Sequence, residues 1–242
     1  MMLEVKDMNT YYGKSHVLQD MSISVDCGEI VVLLGRNGMG KSTTLKSIMG
    51  LVQPASGSIV YRGKDITGCA PYQAARAGIG YVPEERRIFP NLPVLDNLKM
   101  GVKHCKVARG EGRDQWDLER VYSHFPILKE RSRQKGATLS GGEQQMLSIA
   151  RTLMGNPDLL MVDEPTEGLS PILAREVRDV LESIGRTGVS ILLVEHNLKI
   201  AMSLASRVYL MDKAHVGFSG TVEELDANPE IRARYLEVWS YH

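Results

Sequence analysis

An α/β fold with a largely parallel sheet is the architecture this sequence predicts, and two observations predict it. Short apolar runs recur at 30–34, 79–82, 159–162, 191–194 and 208–211, rich in Val, Ile and Leu, as strands buried on both faces of a sheet are. Helical spacing appears at 41–50, 171–186 and 197–205, and strands that alternate with helices are the pattern of α/β folds. Taken in order, the first sixty residues read differently. The segments 17–25 and 56–61 alternate apolar with polar residues between turns, which predicts an antiparallel edge. The strand at 30–34 runs into a glycine-rich turn and the helix at 41–50. Between Pro90 and Thr138 no strong strand is present, and the charged stretch GEGRDQWDLERVYSHF favours helix, so a helical subdomain is expected as an insertion in the core. A further helical run opens at 139–145 and ends near Gly155. Pro171 stands where the next helix begins, the position proline tolerates best. The strands at 191–194 and 208–211 flank the last helix.

The chain has 242 residues, 43% hydrophobic and 24% charged, which is globular composition with length enough for a core without metals or disulfides. Its 29 Lys and Arg cancel 29 Asp and Glu, so no bulk charge points to nucleic acid or an anionic membrane. Cys27, Cys69 and Cys105 are odd in number and never paired as CxxC. That excludes an encoded disulfide framework or zinc site and predicts buried or half-buried free thiols in a reducing compartment. The N-terminus MMLEVKDMNT lacks the basic-then-apolar order of a signal peptide. The longest purely apolar run, 30–34, falls far short of the roughly 20 residues a membrane span needs, so a soluble, intracellular chain is expected.

Function therefore has to come from spacing. Gly35-Arg36-Asn37-Gly38-Met39-Gly40-Lys41-Ser42 fits GxxxxGK[ST] and directly follows the strand at 30–34. Glycines let backbone N–H groups turn inward around phosphate oxygens, and a helix starting there aims its positive end at the same anion. Lys41 would reach the β- and γ-phosphates, and the Ser42 hydroxyl would ligate Mg²⁺. The strand at 159–162 ends in Asp163 and Glu164, at the carboxyl edge where open α/β sheets bind ligands. Asp163 is expected to hold Mg²⁺, directly or through water, and Glu164 to polarise an attacking water as general base. Leu139-Ser140-Gly141-Gly142-Glu143-Gln144-Gln145 opens a helix capped by Ser140 and Gly141, a second anion-facing helix end.

The string LSGGEQQ resembles the signature motif of ATP-binding-cassette (ABC) ATPases, and the other motifs stand in that family's order over essentially the whole chain. The resemblance implies one ABC ATPase domain over 1–242. Its P-loop fold would have a RecA-like parallel-sheet core with an antiparallel N-terminal β subdomain (1–88 and 156–242) and an inserted helical subdomain carrying the signature (89–155). It implies ATP held by Tyr12, stacked on adenine, by residues 35–42 and by Thr43. Leu139, Ser140, Gly141, Gly142, Glu143 and Gln144 would face the ATP of a partner chain. Ser42, Glu84 and Asp163 are the implied Mg²⁺ ligands, Glu164 the catalytic base, and His196 the switch histidine at the γ-phosphate. The loop 164–171 resembles the one that crosses the dimer interface.

Two positions depart from the family pattern. Glu84 follows Tyr81-Val82-Pro83 where glutamine is usual, and Leu169-Ser170-Pro171 replaces Leu-Asp-Pro. A carboxylate at 84 can still ligate Mg²⁺ but changes the local charge. YVPEERRIFPNLPV is similar to the VPEGRRIFP stretch in ATPases of branched-chain (hydrophobic) amino acid importers and of urea and amide importers, with Glu85 in place of glycine. In such ATPases the cluster Arg86, Arg87, Ile88, Phe89 and Pro90 would receive a coupling helix of the membrane subunit. The expectation is thus an importer ATPase at the cytoplasmic face of the membrane. It would work as a heterodimer, with a homodimer as runner-up, on two permease subunits, served indirectly by a solute-binding protein and without nucleic acid. The nearer rival is export of lipid or lipopolysaccharide by a similar cassette. A non-transport ABC ATPase is a further alternative, although no sustained heptads mark the coiled-coil insertion of the family's repair members. A GTPase or small-molecule kinase would leave LSGGEQQ unexplained, and no NKxD-type motif is present.

Overall fold

The computed structural model describes residues 1–102, 115–228 and 230–231. In chain order the elements are β1 (Leu3–Tyr12), β2 (Ser15–Val25), β3 (Ile30–Gly35), α1 (Lys41–Ile48), β4 (Ser56–Tyr61), β5 (Lys64–Asp65), α2 (Pro71–Ala77) and β6 (Ile79–Val82). Then come α3 (Val94–Lys99), α4 (Leu118–His124), α5 (Pro126–Glu130), α6 (Gly141–Leu153), β7 (Leu159–Asp163) and α7 (Pro171–Arg186). The chain continues through β8 (Ser190–Glu195), α8 (Leu198–Leu204), β9 (Arg207–Asp212), β10 (His215–Thr221) and α9 (Val222–Asp226). One sheet is antiparallel, in order β2-β1-β4-β5; the other runs β10-β9-β3-β8-β7-β6 and is parallel except at the β9–β10 hairpin.

The period of two along the parallel strands explains the layering. Val32, Leu34, Leu160, Val162, Ile191 and Leu193 point to one face, where Leu147 and Ala150 of α6 and Val177 and Leu181 of α7 cover them. Val31, Leu33, Leu159, Met161, Leu192 and Val194 point to the other, against Leu45 and Ile48 of α1 and the inner face of the antiparallel sheet. Every residue of β7 and β8 is buried, which is why both read as unbroken apolar runs. Helix α7 buries Ala174, Val177, Leu181 and Ile184, a single stripe at helical spacing. The Val, Leu and Ile side chains of that stripe each contribute about 1.5–3 kcal/mol when removed from water.

Three features differ from expectation or extend it. β1 has no simple alternation: its buried residues are Leu3, Val5, Met8 and Thr10, and the register shifts between Val5 and Met8, where Asp7 has φ 48°. β10 is an edge strand with one buried residue, Gly220, so it carries no apolar run. Cys27 is exposed, not buried, because it sits in the turn between β2 and β3; Cys69 is half-buried. Cys105 and residues 110–114 of the expected helical stretch lie outside the described residues. Among the described residues no helix is long and apolar enough to cross a membrane.

Candidate functional site

β3 ends in the glycine-rich turn. Gly38 and Gly40 have φ 81° and 95°, and a Cβ on Gly40 would stand 2.8 Å from the Val17 carbonyl oxygen, so both conformation and space demand glycine. Gly40 caps α1 without any side-chain hydrogen bond to its first turn, which leaves those N–H groups for an anion. The Lys41 ammonium is buried. It donates to the carbonyls of Gly35 (2.8 Å) and Arg36 (3.2 Å) and lies 3.1 Å from Glu164 Oε1.

The end of β7 supplies the acids. Asp163 Oδ1 accepts from the Ser42 hydroxyl at 2.9 Å and Oδ2 from the Tyr81 hydroxyl at 3.1 Å. Burial pushes the Asp163 carboxyl up, and these two hydroxyls work against that. The same contact and burial hold the Tyr81 phenol protonated. Glu164 stands in the left-handed region at φ 43°, its N–H tied to the Val194 carbonyl at 2.9 Å. Its Oε2 lies 3.1 Å from His196 Nδ1. That hydrogen bond, with Lys41 reinforcing it against burial, lowers the Glu164 carboxyl to about 2, and it raises His196 above its ordinary value. An ionised carboxylate only accepts, so Nδ1 carries the proton. Beneath them Glu195 is fully buried; it accepts from Thr166 Oγ1 (2.9 Å) and from the N–H groups of His196 and Asn197 (3.0 Å each), which fixes the turn that presents His196.

These pieces meet in one cleft of about 330 Å³ lined by Asn37, Gly38, Gly40, Lys41, Ser42, Thr43, Glu84 and Glu164, together with Val17 and Glu167. In the sequence Glu167 is no more than a member of the loop 164–171. Burial, then Glu84 and Glu164 beside it, raises its carboxyl. His196 reaches the cleft through Glu164. Ser42 and Asp163 are hard oxygen donors on the cleft side of the sheet, a donor chemistry that fits Mg²⁺. Among the described residues no group of three His, Cys, Asp or Glu could hold a metal, so phosphate and water oxygens would complete such a site.

The signature residues form a different surface. Ser140 caps α6, accepting from the Glu143 N–H at 3.3 Å while Glu143 Oε2 accepts from the Ser140 N–H at 2.7 Å. Glu143 also pairs with Arg131 at 2.9 Å, and the Gln144 amide donates to the carbonyls of Gly136 and Leu139. Leu139 is buried in the core, and Gly142 is buried against Leu173. Of the six residues Ser140 is the exposed one; Gly141, Glu143 and Gln144 are half-buried and, with Leu139 and Gly142, build the turn that presents it. Tyr12 is 49% exposed at the end of β1, and its neighbour Tyr11, 44% exposed, stacks on His16 with ring centroids 4.1 Å apart. Ser170 caps α7 as an aspartate could, accepting from Leu173 N–H.

Known proteins share this arrangement. The profile of the ABC transporter family matches residues 18–167. The chain is 43% identical over 235 residues to the high-affinity branched-chain amino acid transport ATP-binding protein BraG of Pseudomonas aeruginosa, covering 97% of this chain and 99% of that one. It is 33% identical to the lipopolysaccharide export system ATP-binding protein LptB of Escherichia coli, covering 97% and 96%. A solved ATP-binding subunit of an ABC transporter superposes with a TM-score of 0.81 at 28% identity, covering 98% and 97%. Sequence, fold and cleft agree: the chain belongs to the ABC transporter family and is one of its ATP-hydrolysing cassettes.

Proposed function

We propose that this cassette powers uptake of branched-chain or other hydrophobic amino acids, or of urea or amides, through a membrane permease. The observation that carries the ATPase chemistry is the single cleft in which the phosphate loop, Glu84 and Glu164 converge. The likeness to BraG supports the amino-acid reading, as does the stretch from Tyr81 to Val94. The likeness to LptB keeps lipopolysaccharide or lipid export as the second reading.

In this reading the N–H groups of residues 35–43 and the Lys41 ammonium bind the ATP phosphates, and Tyr12 stacks on adenine. Ser42, Asp163 and Glu84 hold Mg²⁺, which when bound neutralises phosphate charge. Lys41 leaves Glu164 for the phosphates, and the freed Glu164 oxygen accepts a proton from the attacking water. His196 keeps the other carboxylate oxygen in place and offers Nε2 to the γ-phosphate. The helical subdomain (89–155) presents Ser140 and Gly141, with Leu139, Gly142, Glu143 and Gln144 behind them, to ATP on a second cassette, in a heterodimer rather than a homodimer. A groove of about 480 Å³ between α2 and the Arg87–Phe89 loop, floored by β6, accepts the permease's coupling helix, which places the cassette at the cytoplasmic face of the membrane.

Ser140→Arg tests the shared site. It puts bulk and charge at the partner's nucleotide, so the isolated chain should bind ATP nearly as before while permease-linked ATPase activity is lost. Full coupled turnover in that variant would refute the reading. The chains that copurify from gently solubilised membranes distinguish import from export and a heterodimer from a homodimer.

A further inference from the structure

One buried polar group is left without a function by the site described above. Gln145 is 1% exposed, and its Nε2 has no hydrogen-bond partner among the described residues. A buried donor of this kind is costly, and native structures carry few of them. Its position on α6 indicates what it faces. Gly141, Gln145 and Ser148 follow one another at i, i+4 and i+7, along one stripe of the helix. Both neighbours on that stripe touch the loop that carries Glu84. A Cβ on Gly141 would meet the Arg86 guanidinium nitrogens at 3.2 and 3.3 Å, and the Ser148 hydroxyl donates to the Arg86 carbonyl at 2.7 Å. One turn further on, Arg151 donates to the Arg87 carbonyl at 2.8 Å.

The loop itself is held in an unfavourable shape. Arg86 and Arg87 are consecutive left-handed residues, at φ 61° and 43°, and neither is glycine. The Arg86 N–H bonds back to Pro83 and the Arg87 N–H to Glu85, so the turn is tight. The unpaired amide thus lies on the helix stripe whose other two members touch the strained loop, and Glu84 at the start of that loop lines the cleft. Costs of this kind on neighbouring elements are the mark of a place where a second arrangement is within reach.

We propose that Gln145 is a positioning residue for the Glu84 loop: its amide is unpaired while the loop is in the left-handed turn and gains a loop carbonyl when, after ATP has bound, the loop draws Glu84 inward on the way to the transition state. The proposal rests on the reading of the cleft as the ATP site. That step would then release both the strain and the orphan donor, and α6, whose first residues present Ser140 and Gly141, would move with the loop through Ser148 and Arg151.

Gln145→Met keeps the volume and removes the donor. Without nucleotide, the full-length variant should melt about 2–4 °C higher than wild type, because a desolvated unpaired group is gone. In steady-state ATPase assays its kcat should fall about tenfold with KM for ATP unchanged, because the missing hydrogen bond forms only after binding. Gln145→Asn keeps an amide and should restore part of kcat. Ser148→Ala loosens the same loop from the other side and should lower the melting temperature without lowering kcat. Melting of Gln145→Met at or below wild type would overturn the orphan-donor argument, and an unchanged kcat would overturn the positioning role. Equal losses of kcat in Gln145→Met and Ser148→Ala would reduce both to packing and overturn it too. A wild-type chain that fails to bind Mg·ATP would overturn the reading of the cleft itself, and the proposal with it.

Discussion

The Lys41–Glu164 pair makes Glu164→Gln a more informative substitution than a loss of base alone. At 3.1 Å and an effective dielectric near 20, the Coulomb attraction is about 5 kcal/mol before desolvation is subtracted. The ammonium loses that partner in the variant but keeps the carbonyls of Gly35 and Arg36, so it is not left bare. A net destabilisation of about 1–3 kcal/mol in the nucleotide-free protein follows, below the usual cost of stranding a buried charge. Each kcal/mol should lower Tm by about 2–4 °C in a chain of this size. Binding should change in the opposite direction. Lys41 must abandon Glu164 to reach phosphate, and removing about 1.4 kcal/mol of that competition raises ATP affinity about tenfold. Turnover should fall about 10²- to 10⁴-fold, the range for loss of a positioned general base. Differential scanning fluorimetry, calorimetric titration with Mg·ATP and phosphate release, with the partner site silenced, measure the three effects on one preparation. A variant that hydrolyses ATP near the wild-type rate would refute the base assignment, and one that binds it more weakly would refute the competition argument.

Glu84→Ala should slow hydrolysis more than it weakens ATP binding, whereas Glu84→Gln should be tolerated because an amide oxygen still offers a ligand; wild-type turnover in the alanine variant would make Glu84 a spectator. His124, held by Ser183 at 2.9 Å and packed near Trp116, has its pKa lowered by burial and then by Arg120. Its folded pKa therefore lies below the unfolded value of about 6.5, the native state binds fewer protons, and stability is lost as pH falls from about 6.5 through the lowered pKa. Melting curves at pH 7.5 and pH 5.5 should converge in His124→Gln relative to wild type, and an unaltered difference would refute the assignment.

The parts of this protein that follow a local rule were legible in its sequence. β3, β6, β7, β8 and β9 read as apolar runs because sheet and helices cover both their faces, and the cap Ser140 and the first-turn Pro171 announce α6 and α7. β1 was not legible as a strand, because its bulge breaks the alternation after Val5. β10 shows no apolar run, because an edge strand buries almost nothing. In the cleft, the glycines and Lys41 follow from spacing, but Glu167 and Tyr81 do not. Nothing near Tyr81 in the sequence indicates that its hydroxyl meets a carboxylate 82 positions away. Gln144 and Glu143 show the converse. A motif names them, yet their side chains are spent on the carbonyls and N–H groups of their own turn.

Strand order explains why these distant residues converge. β3, β8, β7 and β6 are consecutive neighbours, so their carboxyl ends lie in a row: the phosphate loop, then His196, then Asp163 and Glu164, then Glu84. Adjacent strands stand about 4.8 Å apart, which puts the ends of β3 and β7 about 10 Å from each other. A residue at the end of β3 could not span that gap. Lys41 and Ser42 do so because they open α1, which the left-handed Gly40 turns across the sheet edge. From there Ser42 reaches Asp163, 121 positions away, and the four-carbon stem of Lys41 reaches Glu164. The strand between them, β8, ends in Glu195, buried under the turn, with His196 above it. A phosphate bound by α1 would therefore stand between Lys41 and Glu164, beside His196, the proton donor to Glu164 at the end of β8. Parallel order, a helix turned by one glycine, and a long cation together put Glu164, the proposed base, next to that position and keep it neutralised by Lys41 in the nucleotide-free protein.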